Sequence, residues 1–344
     1  HHSRHVQQGF GRNATNVQTA STNFAIKIGQ TVASGTSNWG ANTTLNNLGG
    51  FLLGTASNPH TLSVTGSFAT ASSGTAKLSG AVTTTTTQTY AGGVQLMSDT
   101  TFTTTNSAVA FSSTIDGTTA NTESLTVAAG SGNTTFTGAV GATTSLKNIS
   151  VTTGALTAAA VKADTLITVT NTAASTISGI ISGTASLTKA GASTLTVSGA
   201  NTYSGATAIN AGTLSVTGSL NDATAVTVAS GATYSVGAND TIASITGAGS
   251  VNLNSYTLTV GNANNTTYSG VMSGTGALVK QGSGALTMSG ANTYSGATTI
   301  NAGQIIIEND APSFSTSGFS GAGSLVIQPS STSFTSAYTF NKTI

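Results

Sequence analysis

The sequence predicts an all-β chain wound as a right-handed parallel β-helix, a solenoid of about 23 residues per coil with atypical terminal caps. Three observations predict it. A long stretch recurs nearly unchanged: GIISGTASLTKAGASTLTVSGANTYSGATAINAGTLSV at 179–216 returns as GVMSGTGALVKQGSGALTMSGANTYSGATTINAGQIII at 270–307. Glycines held in register over such a length point to stacked units. Charged residues are 5% of the chain, against roughly 25% in an ordinary soluble domain, and the helix formers Glu, Lys and Arg are scarce. Finally, apolar residues alternate with Thr or Ser in short runs that end at or near glycine, the period of a half-buried strand.

Taken in order, residues 1–58 lack that cadence and read as an N-terminal cap or subunit-contact segment. They hold Arg4, Arg12, Phe24 and Ile28, with Trp39 and Phe51 as candidate contacts. From 59 to 307 strand signals recur, at TLSVTG 61–66, SLTVAAG 124–130, ISVTTG 149–154, TLTVSG 194–199, TLSVTG 213–218 and TLTVG 257–261. Ala155–Lys162 reads as two strands around a turn. In the Thr-rich block 83–118, Val94, Leu96, Phe102, Val109 and Phe111 still fall at strand spacing. Residues 308–344 read as a C-terminal cap or docking strand, interrupted by Pro312 and Pro329, with Phe334, Tyr338 and Phe340 as candidate subunit contacts.

Lys280 follows Lys189 by 91 residues. That offset divides into four coils of about 23, which would set both copies on one face, roughly 19 Å apart along the stack. Within the copies, Asn201, Asn210, Asn292 and Asn301 are expected at left-handed corners or in inward ladders. Tyr203 and Tyr294 either pack on the strand face or stand out as sugar platforms, with packing favoured.

The chemistry that the composition excludes is broad. A net charge of +1 without a basic cluster argues against nucleic-acid binding. No cysteine means no disulfide or thiol chemistry. No apolar run of about 18 residues is present to span a bilayer as a helix. Asp99, Asp116, Glu123, Asp164, Asp222 and Asp240 are spread singly and read as turn residues, whereas a glycosidase needs two carboxylates converging across a cleft. Glu308 and Asp310 lack a calcium-binding nonapeptide around them. His60 has no evident partner for base catalysis, and His1, His2 and His5 read as a terminal segment or tag remnant. No catalytic residue, metal site or cofactor is expected. An ice-binding solenoid would need a regular Thr-x-Thr array, approached only at Thr83–Thr89 and Thr100–Thr105.

The GANTYSGAT(A/T)INAG stretches at Gly199–Gly212 and Gly290–Gly303, each preceded by Lys-x-Gly-x-x-x-Leu-Thr, resemble the passenger-associated repeat of bacterial autotransporters. The resemblance is carried by Lys189, Gly199, Asn201, Tyr203, Gly205, Asn210 and Gly212, then by Lys280, Gly290, Asn292, Tyr294, Gly296, Asn301 and Gly303. Residues 83–155 are similar to coils of filamentous-haemagglutinin-like exoproteins. The resemblance implies an exported, non-enzymatic surface protein of a diderm bacterium, in adhesion, aggregation or biofilm. Its expected partners are further copies of itself, end to end as filament subunits or laterally, and host or biofilm glycans. A polysaccharide-binding or polysaccharide-cleaving β-helix is the alternative. The chain opens HHSRHV, without Met or a signal-peptide core, as a mature or excised segment would.

Overall fold

The computed structural model describes residues 16–18, 25–28, 35–46, 50–71, 73–308 and 317–328. They fall into two compact units, His1–Ala185 and Ser186–Ile344. Among the described residues there are strands and turns and no helix. Every ladder is parallel, and each unit is a β-solenoid. In the first unit the steps of one ladder run from 19 to 28 residues, around the expected 23, whereas in the second they run from 17 to 21, so the expected coil is too long there.

In the first unit one ladder stacks Asn16–Gln18, Thr43–Asn46, Phe68–Thr70, Gln88–Tyr90, Val109–Phe111, Thr134–Phe136, Leu156–Ala158 and Ser175–Ile177. The rest of each coil is covered by strands that bend. Thr75–Thr84 pairs through its first half with Gly50–Leu53 and through its second with His60–Val64. Val94–Thr104 continues both halves, with a register shift between Leu96 and Thr100. Each coil thus has three sides. Inward and outward residues alternate, as in Val94, Leu96, Thr100, Phe102 and Thr104, all buried, while Thr101 and Thr103 between them face partly outward.

The interior of this unit holds a chain of rings. Phe51, Phe68, Tyr90, Phe111 and Phe136 follow one another at centroid spacings of 5.6, 5.8, 4.9 and 5.4 Å. Phe102 sits edge-on to both Tyr90 and Phe111. Gln88 is wholly buried and satisfied: it donates to the carbonyls of Val82 and Thr103 and accepts from the Tyr90 hydroxyl. A buried amide placed this way links two sides of the coil at no cost in unpaired polar groups.

In the second unit three ladders separate cleanly. The first runs Ser186–Lys189, Thr207–Ile209, Ala225–Val228, Ser244–Gly247, Thr266–Tyr268, Ala285–Met288, Gln304–Glu308 and Ser324–Gln328. Thr194–Val197, Thr213–Val216, Thr233–Val236, Ser250–Asn252 and Val271–Ser273 make the second. Asp240–Ile242, Thr257–Val260, Ala277–Lys280, Thr298–Ile300 and Phe319–Ser320 make the third.

All six strand runs picked out of the sequence are strands, and Ala155–Lys162 is indeed split by a turn. Parallel pairing extends into both expected end segments. Parallel pairing already joins Asn16–Gln18 to Thr43–Asn46, and Ser324–Gln328 still pairs with Gln304–Glu308. Phe24, Asp310, Pro312, Pro329, Phe334, Tyr338 and Phe340 lie outside the described residues, as do Arg4, Arg12, His1, His2 and His5.

Candidate functional site

Each repeat copy is built around a buried lysine. Lys189 and Lys280 end their strands with 0% and 2% exposure. A buried ammonium is tolerated only where it is hydrogen-bonded. Lys189 Nζ donates to the carbonyls of Gly191, in the following turn, and of Ala211, one coil on, the latter at 3.1 Å. Lys280 Nζ repeats the arrangement on Gly282 at 2.9 Å and Ala302 at 3.4 Å, adding Gln281 at 2.6 Å. The lysine therefore clamps the turn of its own coil to the equivalent turn of the next. Burial pulls the Lys189 pKa down to about 8 and lowers that of Lys280.

The GANTYSG segment then replaces a strand on one side of the coil. Residues 201–204 and 291–295 carry no strand, so side chains must supply what ladder bonds do elsewhere. Asn201 Nδ2 donates to the carbonyls of Gly199 and, one coil on, Ser219, both at 2.9 Å. Asn292 Nδ2 donates to Gly290 at 2.8 Å, while its Oδ1 accepts the amide of Met272 on the preceding coil at 2.9 Å. Tyr203 and Tyr294 are wholly buried, with hydroxyls 2.5 and 2.6 Å from those of Thr207 and Thr298. They are packing residues, and the sugar-platform reading is excluded for both. Burial pushes both phenols well above their ordinary pKa.

Asn210 and Asn301 behave differently from their neighbours. Both are exposed, and their backbone amides donate to the carbonyls of Lys189 and Lys280 at 2.8 Å. None of the four repeat asparagines adopts positive φ; Asn106, Asn121 and Asn254 do. The repeat turns instead on Gly212 and Gly303, at φ 63° and 67°. A β-carbon at either would lie 2.5 Å from a carbonyl oxygen of the preceding coil.

The two copies do not share a face. From Lys189 the first ladder steps to Ile209, Val228, Gly247 and Tyr268, which is four coils. Lys280 comes two sides later, past Val271–Ser273 of the second ladder, in the third ladder, paired with Ile300. The sequence offset equals four coils plus two sides, because the coils are shorter than expected. The strandless segment accordingly lies beside 219–221 in the first copy and beside Val271–Ser273 in the second.

The carboxylates are structural rather than convergent. Asp99 accepts the Ser124 amide, Asp116 those of Thr143 and Thr144, and Asp164 the Ser145 hydroxyl. Glu123 is buried beneath Thr118 and Thr119, whose hydroxyl and amide it accepts; a β-carbon at Gly117 would meet it at 2.5 Å. Asp99, Asp116 and Asp164 lie within strands rather than turns, and Asp240 is no turn residue either. It opens a strand at 5% exposure, accepting the Tyr234 hydroxyl at 2.9 Å and the amides of Leu220 and Thr241 at 3.1 and 3.0 Å. Desolvation raises its pKa to about 6, opposed by those hydrogen bonds and helped slightly by the charge of Asp222. His60 does have a partner, the Ser37 hydroxyl at 3.0 Å, and burial lowers its pKa. Among the described residues no three His, Asp or Glu side chains cluster as a metal site would require.

Of the expected contact residues, Phe51 is spent inside the coil at 3% exposure, against Phe68. Trp39 is half-buried, its ring 6.4 Å from that of Phe68.

Two segments of this solenoid, each a lysine clamp, a strandless side and a glycine turn, match a known family model at residues 187–216 and 278–307. That model is the passenger-associated-transport-repeat. The match begins two residues before each clamping lysine and ends with the strand after each glycine turn. The repeat is a structural unit of autotransporter passengers, and together with the parallel solenoid it supports an exported, surface-associated passenger-type β-helix. No curated protein and no solved structure matches the chain. Among the described residues no helix is long and apolar enough to cross a membrane.

Proposed function

We propose that this chain is the non-enzymatic passenger of a diderm bacterium, displayed at the outer surface, where its coils associate with further copies in adhesion or biofilm. The observation that carries the reading is the pair of transport repeats embedded in stacked parallel ladders. Each repeat is spent on coil cohesion: its lysine and the asparagine at 201 or 292 are buried and bonded to neighbouring coils, and its tyrosine is buried and bonded to a threonine four residues on. The carboxylates hold amides and hydroxyls, which supports a scaffold over a hydrolase. Self-association is supported by the surface itself. A net charge of +1 on 344 residues offers little repulsion between copies, and hydroxyl-covered faces have low desolvation cost.

The test is display and assembly together. The chain would be fused to a secretion signal and an outer-membrane translocator, then probed by protease on intact cells. Accessible, β-rich passenger that clumps the cells in proportion to its display is the expected result. Passenger that is displayed and folded while cells stay dispersed would remove the adhesive half of the proposal; passenger retained inside would remove the rest.

A further inference from the structure

On the side of the first unit formed by the leading halves of the bent strands, three outward residues stand in one row. Lys77 pairs in register with Gln95, and Gln95 with Asp116. They line an open groove of about 390 Å³ together with Thr75, Gly93, Thr114, Thr143 and Thr144. Asp116 is fixed there, because its Oδ1 accepts both Thr143 and Thr144 amides. The side chains of Lys77 and Gln95 make no hydrogen bond or ion pair with any described residue. A cation, an amide and a carboxylate thus face solvent in line, about 4.8 Å apart from coil to coil.

Gly93 makes the groove deep, and packing does not require it to be glycine. Its φ is not positive. A β-carbon there would meet nothing closer than the hydroxyls of Thr75 and Thr114, at 3.7 and 3.8 Å, ordinary contact distances. This differs from Gly92 beside it, where a β-carbon would lie 2.2 Å from the Gly74 carbonyl oxygen. Glycine in a strand region weakens it and often marks close approach of another molecule.

From this geometry we propose that the groove binds a neutral hexopyranose chain lying across the coils, one ring per coil. The backbone groups of the groove floor are already spent in the ladders, so an extended peptide could not add as a strand. The groove has no exposed aromatic or aliphatic anchor of the kind a protein partner uses. What remains is a mixed set of donors and acceptors, suited to ring hydroxyls: Lys77 donates, Asp116 Oδ2 accepts, and Gln95 and the threonines do both. The coil spacing is close to the length of one β-linked hexose along its chain. The site belongs to the first unit alone and does not depend on the export reading.

The experiment is titration calorimetry of the full chain with cellotetraose, mannotetraose and tetra-N-acetylchitotetraose, with tetragalacturonate as the anionic probe. At least one neutral tetrasaccharide should bind. Gln95→Ala and Lys77→Met should each weaken that binding at least tenfold. Gly93→Val fills the groove at a site with room for it, so it should abolish binding while the circular dichroism spectrum and melting temperature hold. Neutral binding that survives Gly93→Val places the sugar elsewhere and overturns the proposal. Binding of tetragalacturonate alone, lost in high salt and in Lys77→Met, overturns the neutral ligand, and absence of all binding overturns the site.

Discussion

Asp240 carries the clearest consequence of single-residue burial. Its carboxyl titrates near pH 6 in the fold but near its ordinary value when unfolded. Between those values the folded chain binds more protons, so stability falls as pH rises from about 4 to 6 and stays lower above it. Asp240→Asn keeps an oxygen for the Leu220 and Thr241 amides and can donate to the Tyr234 hydroxyl. The variant should lose that slope and be more stable than the parent at pH 7 by roughly 1–2 kcal/mol, read from urea unfolding of the second unit's signal at pH 4 and 7. A parent already flat across this range would show that Asp240 is not desolvated as described. Lys189 works at the other end of the scale. With its pKa near 8 in the fold, the unfolded chain binds the extra proton from about pH 8 up to the ordinary lysine value, so stability rises with pH there. Above about pH 10 the buried phenols of Tyr203, Tyr234, Tyr268 and Tyr294, all raised, reverse the trend, since only the unfolded chain then ionises. Melting temperature against pH should peak near 10, and Lys189→Met should flatten the rising limb while leaving the fall.

At the scale of the element, the strandless side of each repeat explains why its asparagines differ. Asn201→Ala removes two donated side-chain bonds, while the half-buried Gly199 and Ser219 carbonyls keep the backbone amides of Ser219 and Asn201, a loss of about 1–2 kcal/mol. Asn210→Ala touches no side-chain bond, because only the backbone amide at that position is used, and should fall within about 0.5 kcal/mol of the parent. Equal losses at the two positions, measured by denaturant unfolding, would contradict the division of labour. Strands could be read from the sequence because alternation with Thr and Ser is a local signal, as at Thr194–Val197 and Thr257–Val260. Coil length is not local. It depends on how tightly each turn closes, and turns such as Gly212, whose φ is 63°, shorten the coil without altering strand patterning. An offset of 91 residues was therefore compatible with four long coils or with four short ones and two sides. The same reasoning covers the site residues. The identity of Lys189 was plain in the repeat, but a lysine buried to clamp two carbonyls looks, in sequence, like any lysine on a solvated turn. Nor does any local pattern mark the row Lys77, Gln95 and Asp116, which meets only through register.

For the molecule as a whole, the same scarcity of charge that shaped its reading as a passenger also sets its response to solvent. Cohesion here rests on apolar and aromatic packing and on hydrogen bonds between residues roughly a coil apart, 18 to 28 positions in sequence. The charged groups with assigned partners are bonded to amides, hydroxyls and carbonyls, and Lys189, Glu123 and Asp240 are too buried for salt to screen them well. Raising sodium chloride from 0.05 to 1 M should then shift the melting temperature by no more than about 2 °C, where a protein held by surface ion pairs would move further. Sodium sulfate at equal ionic strength should raise it clearly, because excluded salts strengthen apolar burial rather than screen charge. If both salts act alike and strongly, ion pairs among residues beyond those described carry stability that the coils themselves do not. The comparison bears on function as well as on cohesion. A passenger-type scaffold with few charges keeps its fold whatever the ionic strength around it.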